Sequence, residues 1–244
     1  MIRHEMRDNR VALITIDRHE RRNAVDAVHL EELNASVVSC HEAGARAVVL
    51  TGDGSAFCAG ADLGRVYGDD FRTSLYRAIG TMRRLAVPVL AAVNGPAIGA
   101  GLQLALACDL RIAADRATFA VPTARNGLAV DPWTIRRLAI LAGGGPARSM
   151  LLGCRTLDAD AAMRLGLADA RGGLEETLAW AADIVTMAPL SLGYSKRALD
   201  VLLEDQDEPN VELMDMFEAC WASDDVAESR RAREAGREPS FQGR

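Results

Sequence analysis

No apolar run in this 244-residue chain approaches the ~18–20 residues that span a bilayer, so no membrane-spanning segment is expected. Positive charge is also short. The 28 Lys and Arg stand against 34 Asp and Glu, for a net charge of −6, which argues against non-specific binding to nucleic acid or to an anionic membrane surface. The five cysteines (40, 58, 108, 154 and 220) are odd in number and scattered, with no C-x-x-C pair. They read as reduced, mostly buried thiols of a cytoplasmic protein. The first residues, Met1 to Met6, lack the basic, apolar and small-residue order of a signal peptide. All four histidines fall between positions 4 and 41 and no H-E-x-x-H occurs, so no metal site is expected. A G-x-S-x-G elbow and a G-x-x-x-x-G-K-[ST] loop are both missing. Gly99-Ala100-Gly101 opens a G-x-G-x-x-G, but Leu104 holds its third glycine position.

What is present is organised around residues 94–103. An apolar run at 87–93 has the length and content of a buried strand. It passes through Gly95, Gly99, Ala100 and Gly101 into Leu102-Gln103-Leu104-Ala105-Leu106-Ala107, a helix buried on most sides. Such a turn exposes the first free N–H groups of the helix, which together with the helix dipole favour negative charge. Gly99, Ala100 and Gly101 let a ligand approach the backbone closely. A plain strand-to-helix connection is the alternative.

Taken in order, residues 2–16 read as a hairpin turning at Asp8-Asn9, with a strand at 11–16. Residues 17–23 form a charged loop, either a solvated turn or a phosphate patch built on Arg18, Arg21 and Arg22. Asp26 can cap a helix whose apolar face is Leu30, Leu33, Val37 and Cys40. Residues 47–50 read as a buried parallel strand, followed by a second small-residue loop at 52–63. A helix over 71–85 places Leu75, Ile79, Met82 and Leu85 on one side, and 109–113 is a further strand. Residues 119–127 read as irregular. From Thr134 the chain is largely helical, broken at Gly143–Pro146, Gly153, Gly172-Gly173 and Pro189. Strands therefore fill the first half and helices the last third. With 49% hydrophobic residues, the chain can build one large core over 1–185 and a helical region over 186–244. The apolar cluster at 211–221 suggests burial against something larger, or against the chain's own core.

Two strand–loop–helix turns that each present small residues and free amides can form an oxyanion hole. Three segments carry them: Ala-Phe-Cys-Ala-Gly-Ala-Asp-Leu at 56–63, Ala-Val-Asn-Gly-Pro-Ala-Ile-Gly-Ala-Gly at 92–101, and Cys-Asp-Leu-Arg at 108–111. With these in order and spacing, the chain resembles the crotonase family of enoyl-CoA hydratases and isomerases over essentially its whole length. The resemblance implies an α/β fold, a crotonase-like spiral of ββα units with a C-terminal helical trimerisation region. It implies a homotrimer or a dimer of trimers, and a thioester of coenzyme A (acyl-CoA or enoyl-CoA) as ligand with no separate cofactor. The oxyanion amides map to Ala61 and Ala100, the latter commonly glycine in the family. The coenzyme A contacts map to Arg22, Ala24, Ala61, Asp62 and Leu63. The two glutamates with which family hydratases add water map to Gln103 and Thr123. Gln cannot ionise and a Thr hydroxyl has no useful pKa near neutrality, so weak or absent hydratase activity is expected. Asp131 stands where family hydratases have glycine and where some isomerases carry an acid that shuttles protons. Asp131 also fits an N-cap for the helix after it, and Trp133 adds bulk where the family is small. Two readings stay open: an isomerase using Asp131, and a non-catalytic acyl-CoA binder or carrier.

Overall fold

The computed structural model describes residues 1–66, 69–204, 218–219 and 221–240, the side chains of 69 and 201–204 excepted. Strands β1 (Ile2–Met6) and β2 (Val11–Ile16) form the hairpin expected from the sequence, and helix α1 (Ala27–Glu42) follows. Asp26 caps α1 by accepting from the His29 N–H at 3.1 Å. Next come β3 (Ala47–Gly52), α2 (Asp69–Arg84), β4 (Val89–Val93), β5 (Pro96–Ile98) and α3 (Ala100–Ala107). They lead to β6 (Leu110–Ala113), β7 (Thr118–Ala120), a 3-10 turn at Thr123–Asn126, α4 (Pro132–Ala142) and α5 (Gly144–Leu151). The chain continues through β8 (Leu157–Asp158), α6 (Ala159–Leu165), β9 (Ala170–Arg171), α7 (Leu174–Ile184) and α8 (Pro189–Glu204), and α9 (Asp224–Glu234) is the last described helix. Among the described residues no helix is long and apolar enough to cross a membrane.

The large sheet has the order β1-β2-β3-β4-β6-β9, and every pair after the first is parallel. The small sheet, β5-β7-β8, takes the second strand of successive turns. Each of the units β4-β5-α3 and β6-β7-α4 thus gives one strand to each sheet and then a helix. Side chains alternate across a strand, so both faces of the parallel strands are apolar. Val11, Leu13, Ala47, Val49, Leu90 and Ala92 pack under α7 through Leu178, Ala181 and Ile184. Ala12, Ile14, Val48, Leu50, Ala91 and Val93 face the main core, with Leu30, Leu33 and Val37 of α1 and Leu75, Ile79 and Met82 of α2.

The Cys-Asp-Leu-Arg segment serves this scaffold. Arg111 is 1% exposed, and its guanidinium donates to the carbonyls of Leu167 and Cys108 and to Asp169 at 2.7–2.9 Å. Asp109 accepts from the Val89 N–H and from Lys196 of α8, whose ammonium also donates to the carbonyls of Met82 and Val87. The buried Lys196 ammonium is tolerated because its three donors are all met.

Three local expectations are corrected. The irregular stretch begins as β7, which pairs with β5; three residues are too few to show a period. The break expected over Gly143–Pro146 does occur but is confined to Gly143, at φ +88°, and the glycines at 144 and 145 already start α5, with Pro146 in the first turn, where a missing N–H costs nothing. Strands also recur late, as β8 and β9, each two residues long and defined only by pairing with β7 and β6. Of the apolar cluster at 211–221, residues 211–217 and 220 lie outside the described residues.

Candidate active site

Two loops meet at the carboxyl ends of β3 and β4, and side-chain amides hold them. Asn23, fully buried, donates to the carbonyls of Asp53 and Ala56 and accepts from the Arg18 N–H. Asn94 donates to the carbonyls of Gly52 and Gly54. The loops then pair directly: the Cys58 N–H donates to the Pro96 carbonyl at 3.1 Å and the Ile98 N–H to the Cys58 carbonyl at 3.0 Å. Contact is so close that a Cβ at Gly101 would lie 2.0 Å from the Cys58 carbonyl oxygen. Gly99, at φ +54°, turns the chain into α3 in a conformation that side chains disfavour.

This geometry frees two amides. Val25 bridges to Ala61 through the Gly60 carbonyl and the Asp62 N–H. In an extended segment successive N–H groups point to opposite sides, so the Ala61 N–H turns away from Val25. Ala100 is the first residue of α3, where an N–H has no intrahelical acceptor. A Cβ built on Gly60 would sit 3.8 Å from the Ala100 nitrogen, so the two turns abut. Ala61 and Ala100 both line one cavity of about 250 Å³.

The cavity wall is largely apolar, with Leu63, Val66, Phe71, Leu75, Leu128 and Val130. Its polar side chains are Gln103, Thr123, Asn126, Tyr76 and Arg72, and none of these is a carboxylate. Arg72 pairs with Glu218 at 2.9 Å and lies over the Trp221 ring at 4.9 Å. Trp221 lines the same cavity and donates from Nε1 to the Ala129 carbonyl. The C-terminal region thus folds back onto its own chain. Burial, and then the charge of Asp131, push the Tyr76 phenol above its ordinary range, so it stays a neutral hydroxyl. Burial pushes the thiols of Cys58 and Cys108 up to about 12, which leaves them poor nucleophiles.

The structure brings Ala61, Leu63, Ala100, Gln103 and Thr123 together around the cavity. Asp62 lies beside them, paired with Arg18 at 2.9 Å. The early loop abuts this turn, with the Arg22 carbonyl accepting from Ala59 and the Ala24 carbonyl from Arg18. Arg22 and Ala24 themselves do not line the cavity. Asp131 does not line it either. Its carboxylate caps α4 through the Thr134 N–H at 3.1 Å, and accepts from the Thr134 hydroxyl at 2.5 Å and from Gln103 Nε2 at 3.0 Å. The Trp133 ring lies under Arg83 at 4.7 Å, off the cavity wall.

Sequence reasoning missed Tyr76, Asn126 and the Arg72–Trp221 pair. No spacing signal marks them, because they reach the site from α2, from a 3-10 turn and from the far end of the chain. It also did not foresee that Asp17, His19 and Asp53 gather their polar atoms within 4.8 Å. Arg3 already pairs with both carboxylates there, at 2.7 and 3.3 Å.

Against known families, residues 6–244 match the profile described as enoyl-CoA hydratase/isomerase. A protein of Mycobacterium tuberculosis (strain CDC 1551 / Oshkosh) described as "Probable enoyl-CoA hydratase echA6" is 45% identical over 236 residues, covering 96% of each chain. "Probable enoyl-CoA hydratase echA8" from the same strain is 30% identical over 245 residues, covering 96% of this chain and 95% of that one. Among solved structures, an enoyl-CoA hydratase/isomerase from Pseudoalteromonas atlantica T6c superposes with a TM-score of 0.88 at 31% identity, covering 99% of both chains. A methylmalonyl-CoA decarboxylase reaches 0.90 at 24% identity over 100% and 98%, a likeness of fold.

Proposed function

Because the chain belongs to the enoyl-CoA hydratase/isomerase family, we propose that it binds fatty acyl-CoA thioesters and hydrates enoyl-CoA weakly or not at all. The observation that carries this is one cavity with two free backbone amides and, among the described residues of its wall, no carboxylate. The thioester carbonyl would accept from the N–H groups of Ala61 and Ala100, with the N-terminus of α3 behind the second. Donors so placed stabilise an oxyanion or enolate in a dry site. The coenzyme A portion would run along Leu63 and Asp62 toward Arg22 and Ala24.

Hydration needs more than polarisation. It requires a base to activate water and an acid to protonate the α-carbon, each worth roughly 10²–10⁴-fold. Gln103 and Thr123 stand at those positions and neither can do this work near neutral pH. The isomerase reading needs the Asp131 carboxylate beside the acyl chain. Here that carboxylate is engaged by Thr134 and Gln103, behind the wall, which favours the binder or carrier reading.

We further propose a homotrimer or a dimer of trimers. Ile140 on α4 and Leu190, Tyr194 and Leu199 on α8 are exposed large side chains, more apolar surface than two helices of a lone subunit ordinarily leave in water. The free, buried cysteines at 40, 58 and 108 fit a reducing cytoplasm. Calorimetric titration with octanoyl-CoA against free coenzyme A, together with a crotonyl-CoA hydration assay, tests the main proposal. Tight binding that depends on the acyl group, with negligible hydration, is expected. Turnover comparable to ordinary family hydratases refutes it.

A further inference from the structure

We infer that Asp131 and Thr134 lock the Gln103 side chain with its carbonyl oxygen facing the cavity, so that the site selects acyl chains carrying a hydroxyl over chains carrying a keto group. The inference rests on the thioester reading above and names the acyl class for that site.

Gln103 is 4% exposed and lies on the first turn of α3, three residues beyond Ala100. Its amide has two hydrogens, and both are used. Nε2 donates to Asp131 Oδ2 at 3.0 Å and to Thr134 Oγ1 at 3.0 Å. The Thr134 hydroxyl in turn gives its own hydrogen to Asp131 Oδ2. The proton directions are therefore determined. A carboxylate only accepts, so the threonine must donate to it, and its lone pair is left for Nε2. Turning the amide over would set Oε1 against a carboxylate oxygen, acceptor against acceptor. Neither Asp131 nor Thr134 lines the cavity, whereas Gln103 does. Oε1 is the polar atom left to face it, and among the described residues it has no protein partner.

Three residues of α-helix rise about 5 Å, so a chain whose carbonyl sits at the Ala100 N–H passes Gln103 a few bonds from the thioester. A hydroxyl there can donate to Oε1. It can also accept from the hydroxyls of Thr123 or Tyr76, which line the cavity without protein partners among the described residues. A keto oxygen at the same place can accept from those hydroxyls too, but it has no hydrogen for Oε1 and leaves that acceptor unpaired. Unpaired acceptors in a desolvated wall discriminate against a mismatched ligand more strongly than they reward a matched one.

Asp131 is thus a positioning residue. Replacing it with Asn keeps a capping oxygen for the Thr134 N–H but puts an NH₂ where Oδ2 stood. That NH₂ faces Nε2, donor against donor, and is relieved when the Gln103 amide turns over. The cavity then meets an NH₂ instead of a carbonyl, from which a hydroxyl and a keto oxygen can both accept, and the hydroxy preference should be lost.

The experiment titrates octanoyl-CoA, 3-hydroxyoctanoyl-CoA and 3-oxooctanoyl-CoA into the parent protein, Gln103→Leu and Asp131→Asn. In the parent, the hydroxy ligand should bind about 10-fold tighter than octanoyl-CoA, the gain of one net hydrogen bond, and tighter than the oxo ligand, which leaves Oε1 unpaired. Gln103→Leu should erase the hydroxy preference, read as the ratio of 3-hydroxyoctanoyl-CoA to octanoyl-CoA affinity. Asp131→Asn should bring the hydroxy-to-oxo ratio down toward one, a change that general destabilisation would not produce because it weakens all three ligands alike. If octanoyl-CoA binds but the hydroxy ligand gains nothing over it, or if Asp131→Asn leaves the ratio unchanged, the inference is overturned and the thioester reading stands. If no ligand binds the parent, both fall.

Discussion

Replacing Gly101 with alanine would place a methyl carbon 2.0 Å from the Cys58 carbonyl oxygen and 2.8 Å from the Cys58 carbonyl carbon. Ordinary contact begins near 3.4 Å, so the two turns must part by about 1.4 Å, the difference from 2.0 Å. Neither side can yield cheaply. All eight residues of α3 are buried, and Cys58 is held by its bonds with Pro96 and Ile98. The separation must therefore move Ala100 relative to Ala61, which the same contact holds in register. Overpacking of this kind costs ~1–3 kcal/mol of stability. A carbonyl that loses good geometry with two amides forfeits ~1 kcal/mol for each, and ~2 kcal/mol in total is about 30-fold in Kd. Titration with octanoyl-CoA and urea unfolding of Gly101→Ala should show both losses. Gly145→Ala is the matched control: it lies in the first turn of α5, and a Cβ there meets nothing within 4 Å. It should bind normally and unfold no more easily than the parent. If Gly101→Ala binds octanoyl-CoA within threefold of the parent and unfolds at the same urea concentration, the convergence of the two amides does not depend on this contact, and the oxyanion assignment loses its support.

Restoring both acids, Gln103→Glu with Thr123→Glu, should raise crotonyl-CoA hydration little. The carboxylate introduced at position 103 would sit about 3 Å from that of Asp131, and the two would share one proton. Adding Asp131→Gly should raise the rate at least 10-fold over the double variant, and equal rates refute the coupling. For Asp26, burial alone would raise the carboxyl, but hydrogen bonds from His29 and Arg65 outweigh it and hold it at about 2, against 3.8 when free. Its contribution of about 2 kcal/mol is complete above the free value and disappears as pH falls through 2. Asp26→Asn, which keeps the cap, should therefore cost about that much at pH 7 and little at pH 2; a pH-independent loss in denaturant unfolding would contradict this. Light scattering at micromolar concentration should give a trimer or hexamer, and a monomer would refute the assembly.

The sequence by itself determined the frame. Continuous apolar runs placed β2, β3 and β4, and the helical spacing of Leu30, Leu33 and Val37 and of Leu75, Ile79 and Met82 placed α1 and α2, because these signals are local. The small residues at 59–61 and 99–101 marked the two turns for the same reason: close backbone approach leaves its trace in side-chain size. Gln103 and Thr123 could be read as side chains that do not ionise near neutral pH, since ionisability belongs to the residue type. Tertiary structure alone decided the rest. Strands β7, β8 and β9 are too short to carry a period and exist by pairing with partners elsewhere in the chain. Tyr76 and Trp221 reach the cavity from positions 145 residues apart in sequence. Asp131 fitted both a base and a helix cap when read along the chain. The local bonds from Thr134 make it the cap of α4, and only the packing of α3 against α4 brings Gln103 to the same carboxylate and holds it off the cavity wall, because a carboxylate's role is set by the donors around it.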